Sequence, residues 1–557
     1  MKVYEALAKA FAAEGTAAVY GMMGNANQFW IDALARLGVN VYEVRHEGAG
    51  LAMADGWARF AGRESMTGMP GVCTATGGPG TTQLATTMVC ASRARTPLVA
   101  FCGDTPQGSF DAVQGLDQER FAAAVECGFI RVSAPDLAYE AVRKAFYLAR
   151  TEARPVMLSA PMDLQQLDYE DDDEYQPSAD LVNTMRTSPD PHLVATAADK
   201  LAAAEHPVIV VGRGAVRSGA GQEVLEIARR TGAVITTTLL ATNWLAGQDE
   251  FHAGIAGLYS TRTAIELFQE ADCVLAVGAS MNHFTTEHGY LFGSAHYIQV
   301  DISSQLVKGD GRPAEVYIQG DARTTLAMLA QVLNRQGVNH VGFRTPEVRE
   351  RLKRRLDDPK VYDLQPGTLD PRDVCRLVDE LLPPRIGLST GSGHQSQFAE
   401  MLCTRERAFT FGTKSFGAIG NAMTIGIGAA MASGNKPVAV IDGDASIMMQ
   451  LPEFETAVRY GIPVLVVILN DQGLSAEVHK ALVKGLDANL TNIPTPDLGK
   501  VAEALGGRGS AVRSLDELRS AIEGYLAHPA PTLVDARVSG KVVSTQYRRL
   551  WYGDDSA

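Results

Sequence analysis

The sequence has little that is typical of a membrane protein or of a disulfide-linked secreted protein. No apolar run in its 557 residues approaches the roughly 20 residues that span a bilayer. It has only seven cysteines, an odd number with no CxxC pair, which favours reduced, buried thiols over a disulfide or zinc framework. The first residues, MKVYEALAKAFAAEG, are amphipathic, include acidic side chains and do not resemble a signal peptide. We therefore expect a cytoplasmic protein.

Positive charge is also scarce. Lysine and arginine total 50 against 64 aspartates and glutamates, which gives a formal net charge of −14. This balance argues against a nucleic acid or an anionic membrane as the partner. It does not exclude an anionic small substrate, because a helix N-terminus can attract an anion locally.

The sequence does contain three stretches in which apolar, strand-like runs alternate with helix-like segments. The runs are continuously apolar, for example PLVAFCGD, PVIVVG and PVLVVILND, and so predict strands buried on both faces of a parallel sheet. The predicted fold class is α/β, with three doubly wound parallel-sheet domains. Changes in composition place their bounds at 1–166, 190–340 and 369–557, with an acidic, solvated linker at 167–189 and a polar linker at 341–368.

Two carboxylates in the third stretch point to a metal site. Asp444 and Asp471 each follow a β-branched apolar run, and one helical segment separates them. A parallel crossover of this kind brings both strand ends to the same carboxyl edge, where ligands of open α/β sheets bind. Buried carboxylates need a cation between them, and oxygen ligands suit Mg²⁺ with a diphosphate completing its shell.

These residues carry a resemblance to a known family. GDA at 443–445 followed by NDQG at 470–473 resembles the motif of thiamine-diphosphate-dependent enzymes, normally Gly-Asp-Gly and then Asn-Asn. The resemblance implies that Asp444, Asp471 and the carbonyl of Gly473 hold the metal. Ala445 replaces the last glycine, and Asp471 replaces the usual asparagine, which adds a negative charge.

Three further segments are similar to the family pattern. EVRHEGAGLAMADGWAR carries Glu47, which the resemblance implies shares a proton with the cofactor's aminopyrimidine and so activates it. GMPGVCTATGGPGTTQ contains the Gly-Pro-Gly turn at 78–80, and SFGAIGNAMTIGIGAAMA places Ile419 where an apolar side chain props the cofactor rings. The implied cofactor-binding residues are Glu47, Gly78, Pro79, Gly80, Gly391, Ser392, His394, Ala418, Ile419, Gly443, Asp444, Ala445, Ser446, Asp471, Gly473 and Leu474.

Four positions are candidates for contact with the substrate. VQGLDQERF resembles an acetolactate-synthase segment in which Gln114 faces the substrate, whereas DQGLSAE resembles the decarboxylase version and places Glu477 near the reactive carbon. Asn25, in GMMGNANQF, and His394, in STGSGHQSQF, complete the set. Glu47, Gln114 and Glu477 are the catalytic candidates. Each of the four substrate candidates could instead be a surface or capping residue.

The three units follow the order of acetolactate synthase and its relatives. That resemblance implies a site shared between two subunits, hence at least a homodimer and more often a homotetramer, without nucleic-acid or membrane partners. The central unit aligns with a flavin-binding unit that some relatives leave empty or use for ADP, so FAD is possible but not predicted.

The leading hypothesis is a thiamine-diphosphate- and Mg²⁺-dependent 2-oxo acid decarboxylase or carboligase. Three alternatives remain open at this point: a lyase or hydrolase of acyloins or 1,2-diketones, an FAD-linked 2-oxo acid oxidase, and a relative that binds the cofactor without catalysis. The segment 479–497 has no interpretation from the sequence.

Overall fold

The computed structural model describes residues 1–554 apart from 64, 66–67, 110, 171–173 and 305–311. The described residues form three six-stranded parallel sheets, each surrounded by helices, which confirms the predicted fold class. No helix among them has the length and apolarity needed to cross a membrane. The domain bounds predicted from composition stay predictions.

The N-terminal domain has the sheet order β2-β1-β3-β4-β6-β5. Its strands are β1 Ala18–Gly21, β2 Asn40–Glu43, β3 Gly71–Ala75, β4 Leu98–Asp104, β5 Gly128–Arg131 and β6 Pro155–Pro161. Its helices are α1 Val3–Ala13, α2 Gln28–Arg36, α3 Glu47–Ala61, α4 Pro79–Thr82, α5 Ala85–Arg93, α6 Gln118–Ala124, α7 Ala138–Glu152 and α8 Met162–Gln165, with 3₁₀ turns at Pro135–Leu137 and Ser178–Leu181.

The central domain has the order β9-β8-β7-β10-β11-β12, the strand order of dinucleotide-binding folds. Its strands are β7 Pro207–Val211, β8 Val234–Thr237, β9 His252–Ile255, β10 Cys273–Val277, β11 His296–Asp301 and β12 Val316–Gln319. Its helices are α9 Pro191–Ala203, α10 Arg213–Ser218, α11 Gly221–Thr231, α12 Arg262–Glu270, α13 His283–Thr286, α14 Ala322–Arg335 and α15 Pro346–Lys353, with a 3₁₀ turn at Leu239–Ala241.

The C-terminal domain repeats the order of the first, β14-β13-β15-β16-β18-β17. Its strands are β13 Gly387–Thr390, β14 Thr410–Gly412, β15 Val438–Gly443, β16 Val464–Asn470, β17 Arg508–Val512 and β18 Thr532–Arg537. Its helices are α16 Pro371–Leu381, α17 His394–Leu402, α18 Ala422–Ala432, α19 Asp444–Met448, α20 Glu453–Arg459, α21 Ser475–Val483, α22 Leu498–Ala504, α23 Leu515–Ala527 and α24 Thr545–Tyr552, with a 3₁₀ turn at Ala488–Thr491.

Both predicted linkers are more structured than their composition suggests. Tyr169 and Ser178 are buried, and Ser178 donates its backbone N–H and its hydroxyl to Glu14, each at 2.7 Å. The expectation of a solvated linker is therefore wrong for these two residues. The second linker contains α15, whose Val348 and Leu352 pack into the central domain.

The N- and C-terminal domains of one chain pack through two glycine-containing helices, α3 and α18. A Cβ added at Gly56 would lie 2.0 Å from the carbonyl oxygen of Ile425, and one added at Gly428 would lie 1.9 Å from that of Met53. The backbones of the two helices are therefore in contact, and only glycine fits at either crossing. This contact joins the helix that begins at Glu47 to the helix that follows Ile419.

We expect Gly428→Ala to destabilise the protein by about 1–3 kcal/mol, because the new methyl group meets backbone and forces the two helices apart. The matched control is Gly524→Ala, since Gly524 lies within α23 with no atom within 4 Å of its added Cβ. That control should be stabilised by about 0.5–1 kcal/mol, the ordinary helix preference for alanine. Thermal unfolding of both variants checks the prediction, and equal effects would contradict it.

Candidate active site

The two predicted metal carboxylates lie at neighbouring strand ends. Strands β15 and β16 pair in parallel, with Gly443 opposite Leu469, so Asp444 and Asp471 follow them at the same edge. Asp444 is 1% exposed, and neither of its carboxylate oxygens has a hydrogen-bond partner. The Oδ1 atom of Asp471 is also buried without a partner, while its Oδ2 accepts a 2.6 Å hydrogen bond from Gln395.

The electrostatics of this pair fit a bound cation. Burial, together with the nearby charge of Asp471, raises the pKa of Asp444 to about 7. Burial also raises the pKa of Asp471 to about 6, against hydrogen bonds from Gln395 and Ser475 that favour the ionised form. Unpartnered buried carboxylates are destabilising unless a cation compensates them. Three orphaned oxygens at one strand edge therefore fit Mg²⁺, which takes few protein ligands.

A cation at this edge must also use ligands other than side chains. Within the described ranges, no group of three or more histidine, cysteine, aspartate or glutamate side chains could hold a metal. Two carboxylates leave open positions for a backbone carbonyl, phosphate oxygens and water, which is how Mg²⁺ is usually held beside phosphates.

A hydrogen-bonded chain connects the metal strand to the loop that carries Ile419. Asp442 accepts the hydroxyl of Ser446 at 2.6 Å, and the Ser446 oxygen accepts the backbone N–H of Gly420 at 2.8 Å. Burial raises the pKa of Asp442 to about 7. Ala418 and Ile419, both half-buried, are thereby held close to the first turn of α19.

The glycine turn after β13 packs on the same strand. A Cβ at Gly391 would lie 1.8 Å from Oδ1 of Asp442, so this position accepts only glycine. The half-buried Ser392 donates a 3.3 Å hydrogen bond to the carbonyl of Gly417. Gly443 meets nothing nearer than Gln395 at 3.7 Å, and with Ala445 beside it this leaves room for a bulky anion near the backbone.

The turn after β16 is shaped by a left-handed residue. Gln472 has φ +72°, and Gly473 then forms an isolated bridge with Asn492. Leu474 donates its N–H to the carbonyl of Thr491 at 3.0 Å. The segment 479–497 therefore has a structural role, because its 3₁₀ turn supports the turn that carries Gly473.

His394 is buried among helices of the C-terminal domain. Its Nε2 accepts the backbone N–H of Ser544 at 3.0 Å, and its ring lies 4.5 Å from that of His479 and 4.8 Å from that of Tyr547. Burial, with His479 nearby, lowers the pKa of His394 well below its usual value. The structure therefore places its side chain against α21 and α24, while the neighbouring Gln395 faces Asp471.

We expect His479 to make the protein sensitive to acid. Burial lowers the pKa of His479 to about 4, so between pH 4 and 6.5 the unfolded chain binds a proton that the folded chain does not. Stability should then fall by about 1–2 kcal/mol as the pH drops from 6.5 to 5. His479→Gln should flatten this part of the Tm-against-pH curve, and the exposed His340→Gln should not. Parallel curves for His479→Gln and the unmodified protein would contradict the assignment.

The N-terminal domain brings its own predicted residues together. Glu47 is half-buried as the first residue of α3, and its Oε1 would lie 3.1 Å from a Cβ placed on Gly80. Gly78 has φ +59°, and its Cβ would lie 2.5 Å from the carbonyl oxygen of Gln114. Pro79 begins α4 between them. Glu47, the Gly-Pro-Gly turn and the Gln114 backbone therefore meet at the carboxyl edge of the first sheet.

Glu453 was missed by sequence reasoning. It is 1% exposed, its Oε1 accepts the backbone N–H of Arg45 at 2.9 Å, and its Oε2 accepts the hydroxyl of Thr456 at 2.7 Å. Burial raises the pKa of Glu453. It therefore fixes the chain two residues before Glu47 from the C-terminal domain. The only sequence signal was a glutamate at the start of an apolar helix, which is common.

The side chains of three substrate candidates lie outside both the carboxylate pair of the C-terminal domain and the Glu47 group of the N-terminal domain. Asn25 is exposed and accepts a 3.3 Å hydrogen bond from Gln28, and the Gln114 side chain is exposed. The Glu477 side chain is 51% exposed and pairs with Lys480 at 2.7 Å. Their roles stay predictions.

The glycines of the central domain have a packing explanation. A Cβ at Gly212 would lie 2.1 Å from the carbonyl oxygen of Gly278, and one at Gly214 would lie 2.7 Å from the Gly278 Cα. Gly278 itself has φ +58°. The backbone contact between these two turns explains why glycine is needed at these positions. A bound flavin is not required to explain them.

Comparisons with known proteins agree with this geometry. Three thiamine pyrophosphate enzyme profiles match: the N-terminal TPP binding domain over residues 1–124, the central domain over 194–329 and the C-terminal TPP binding domain over 391–536.

Similar curated proteins cover nearly the whole chain. The acetolactate synthase large subunit of Corynebacterium glutamicum is 30% identical over 500 residues, covering 86% of this chain and 77% of that protein. The probable acetolactate synthase large subunit of Methanocaldococcus jannaschii is 28% identical over 549 residues, covering 96% and 91%. The large subunit of Haemophilus influenzae is 26% identical over 521 residues, covering 92% and 89%.

The profiles match in the order in which the three sheets follow along the chain, and the relatives share one activity name. The alternatives of a diketone lyase and a flavin-linked oxidase are not favoured by these matches. The chain belongs to the thiamine pyrophosphate enzyme family, as a thiamine-diphosphate-dependent, acetolactate synthase-like enzyme of the carboligase and decarboxylase class.

Proposed function

We propose that the enzyme removes CO₂ from a 2-oxo acid and then either joins the remaining acyl fragment to a second carbonyl compound or releases it after protonation. Mg²⁺ would be bound at the sheet edge that carries Asp444 and Asp471. The three orphaned carboxylate oxygens of that pair are the observation that carries the metal assignment. The similarity to acetolactate synthase large subunits supports 2-oxo acids as the substrate class. Thiamine diphosphate supplies the electron sink for the carbanion chemistry.

The C-terminal domain would hold the charged end of the cofactor. Asp444, Asp471 and the carbonyl of Gly473 are the proposed metal ligands. The diphosphate would lie over the backbone of the Gly391–His394 turn, the residues 443–446 and Leu474, where Gly393 and Gly443 leave the backbone open. Gln395 orients Asp471 through its 2.6 Å hydrogen bond.

The N-terminal domain would supply the proton chemistry. Glu47 donates and accepts a proton at the pyrimidine, held in place by α3 and by the bond from Arg45 to Glu453. Gly80 leaves the space beside its carboxylate open. Ile419 supports the two rings from the loop that Ser446 fixes. Asn25, Gln114, His394 and Glu477 remain the proposed substrate-facing set, with Gln114 and Glu477 as its catalytic members.

Exposed apolar side chains support a shared site in a homodimer or homotetramer. Met22, Met23 and Val113 are 37%, 50% and 103% exposed and follow strands of the first sheet at its carboxyl edge. Met448 and Met449 are 41% and 61% exposed beside the metal edge of the third. A second copy that covers these surfaces would bring a Glu47 to an Asp444 of the other chain.

The test is a panel of 2-oxo acids, acyloins and 1,2-diketones assayed with thiamine diphosphate and Mg²⁺. CO₂ release from a 2-oxo acid, with a ligated or protonated product identified by chiral chromatography, is the expected result. Cleavage of acyloins or diketones without decarboxylation of any 2-oxo acid would replace the proposal by a lyase. Turnover that reduces a protein-bound yellow cofactor would replace it by an oxidase.

A further inference from the structure

A cleft of about 280 Å³ lies between the central and C-terminal domains. Its walls come from the start of α12, from residues 354–359 after α15, and from α16, α17 and α24. Its size is near the lower end of small-ligand pockets, roughly 300 Å³. Among its described lining residues there is none of the cofactor or substrate candidates named above.

The cleft is strongly basic in an acidic protein. The carboxylates that line it are Asp357 and Asp358, whereas the chain as a whole carries a formal charge of −14. The arginines that line it are Arg262, Arg354, Arg355, Arg372, Arg376 and Arg548.

Part of this charge is neutralised within the protein. Asp358 pairs with Arg372 at 2.9 Å and with Arg548 at 2.7 Å, and Arg372 also pairs with Asp370. These ion-paired side chains are mostly buried and are therefore held in fixed positions. Arg548, 6% exposed, still has a buried Nε atom without a partner.

Two adjacent arginines lack a close ion-pair partner among the residues that the structure describes, although Arg354 lies near enough to Glu350 to help lower the pKa of that carboxyl group. Arg354 is exposed, and within the described part of the chain neither it nor Arg355 forms an ion pair. Arg355 donates from Nη1 to the carbonyl of Leu352 at 3.0 Å, while its Nε is buried without a partner. The guanidinium of Arg354 and the remaining Nη donors of Arg355 are therefore the groups that an anion in the cleft can reach.

The cleft also has an apolar lining. Phe398, Met401 and Leu402 line it from the last turns of α17, and Leu356 and Pro359 extend the surface from the connector. A ligand that fills the cleft therefore needs an anionic head and an apolar body.

We propose that this cleft binds a phosphate monoester with an apolar body, its phosphate on Arg354 and Arg355 and its body against Phe398 and Met401. Guanidinium groups recognise phosphate through paired, charge-assisted hydrogen bonds. A phosphate monoester carries about −1.5 to −2 charges at pH 7, which suits two adjacent guanidinium groups that form no close ion pair among the described residues.

The cleft is connected to the proposed cofactor site through two helices. Helix α17 begins at His394, directly after the glycine turn, and ends at Leu402 in the cleft wall. Ser544, the N-cap of α24, lines the cleft and donates its backbone N–H to His394. A change of cofactor affinity on anion binding would be matched by an equal change of anion affinity on cofactor binding. This coupling rests on the proposed function, whereas binding in the cleft does not.

Calorimetry on the protein saturated with thiamine diphosphate and Mg²⁺ tests the binding. Phenyl phosphate should bind once per chain, more tightly than inorganic phosphate, which lacks the apolar body, and than phenylacetate, which carries one charge. Tighter binding of phenylacetate would overturn the choice of a phosphate ligand. Absence of phenyl phosphate binding, or its binding only when the cofactor is omitted, would overturn the site.

Matched variants test whether phenyl phosphate binding depends on the arginines of this cleft rather than on arginines elsewhere. Arg354→Gln and Arg355→Gln should each weaken phenyl phosphate binding by about tenfold or more, since each loses a charge-assisted contact. The exposed Arg335→Gln, at the end of α14, should bind as the unmodified protein does. If Arg355→Gln does not fold, the exposed Arg354 carries the test alone. Unchanged binding in Arg354→Gln would overturn the proposal.

Discussion

Glu47→Gln should reduce turnover of a 2-oxo acid by about 100- to 10,000-fold, the range of a lost general acid–base group. Glutamine keeps the size of the side chain beside Gly80 and its place at the start of α3. It removes only the proton that the carboxylate would exchange with the pyrimidine. Cofactor affinity, measured by calorimetry with Mg²⁺, should change much less than kcat, because the metal and diphosphate contacts belong to the other domain.

The control for this variant lies on the preceding strand. Glu43 ends β2 with an exposed side chain, and only its backbone groups contact Tyr460 and Arg459. Glu43→Gln should therefore keep turnover within a factor of about two, as surface substitutions usually do. Equal losses in the two variants would mean that Glu47 acts through local structure. Full activity in Glu47→Gln would exclude it from catalysis.

The same variant tests the shared site when it is mixed with Asp444→Ala. In a homodimer of Glu47→Gln chains both sites would lack the acid, and in a homodimer of Asp444→Ala chains both sites would lack the metal ligand. A heterodimer would combine both defects in one site and leave the other intact, so subunit exchange should restore about a quarter of normal activity in an equimolar mixture. No recovery after verified exchange would show that both residues serve the same site from one chain.

The sequence predicted the interior of each sheet well and its edges poorly. Four of the six edge strands, β5, β9, β12 and β17, have sequences that do not predict a buried strand, namely GFIR, HAGI, VYIQ and RGSAV. Three of these strands are partly exposed, as in β17, where two of five residues are exposed and two are intermediate. The fourth, β9, is buried but short and contains Gly254. These four strands therefore lack the continuous apolar run that identifies a buried parallel strand.

The sequence likewise located some residues of the candidate site and not others. Asp444 and Asp471 could be located because strand ends fix their position without knowledge of the packing. Glu453 and Gln395 could not, since their roles depend on Arg45 and on Asp471, which lie far away in sequence. His394 was assigned from its neighbours in the chain, but its ring packs against helices some 80 and 150 residues later, which local sequence does not encode.

Asp444→Asn should change the stability of the free and the loaded protein in opposite directions. Without metal, the substitution removes a buried carboxylate that has no partner, which relieves a cost of about 1–3 kcal/mol and raises Tm. With Mg²⁺ and thiamine diphosphate, the unmodified protein gains stability in proportion to ligand binding, and the variant should lose most of that gain. Thermal scans at pH 8, above the pKa of about 7 for Asp444, keep the carboxylate ionised.

A second aspartate serves as the control for the opposite Tm changes expected in the free and the loaded protein. Asp497 is the N-cap of α22 in the same domain, and asparagine caps a helix about as well, so Asp497→Asn should leave both Tm values nearly unchanged. Asp444→Ala should weaken Mg²⁺-dependent cofactor binding by at least about 100-fold, more than the loss of a group that only orients a ligand. A free protein destabilised by Asp444→Asn would mean that the carboxylate has a structural partner. An unchanged Mg²⁺ response would place the metal elsewhere, because the three unpartnered oxygens are destabilising in the free protein and only a bound cation would turn them into ligands.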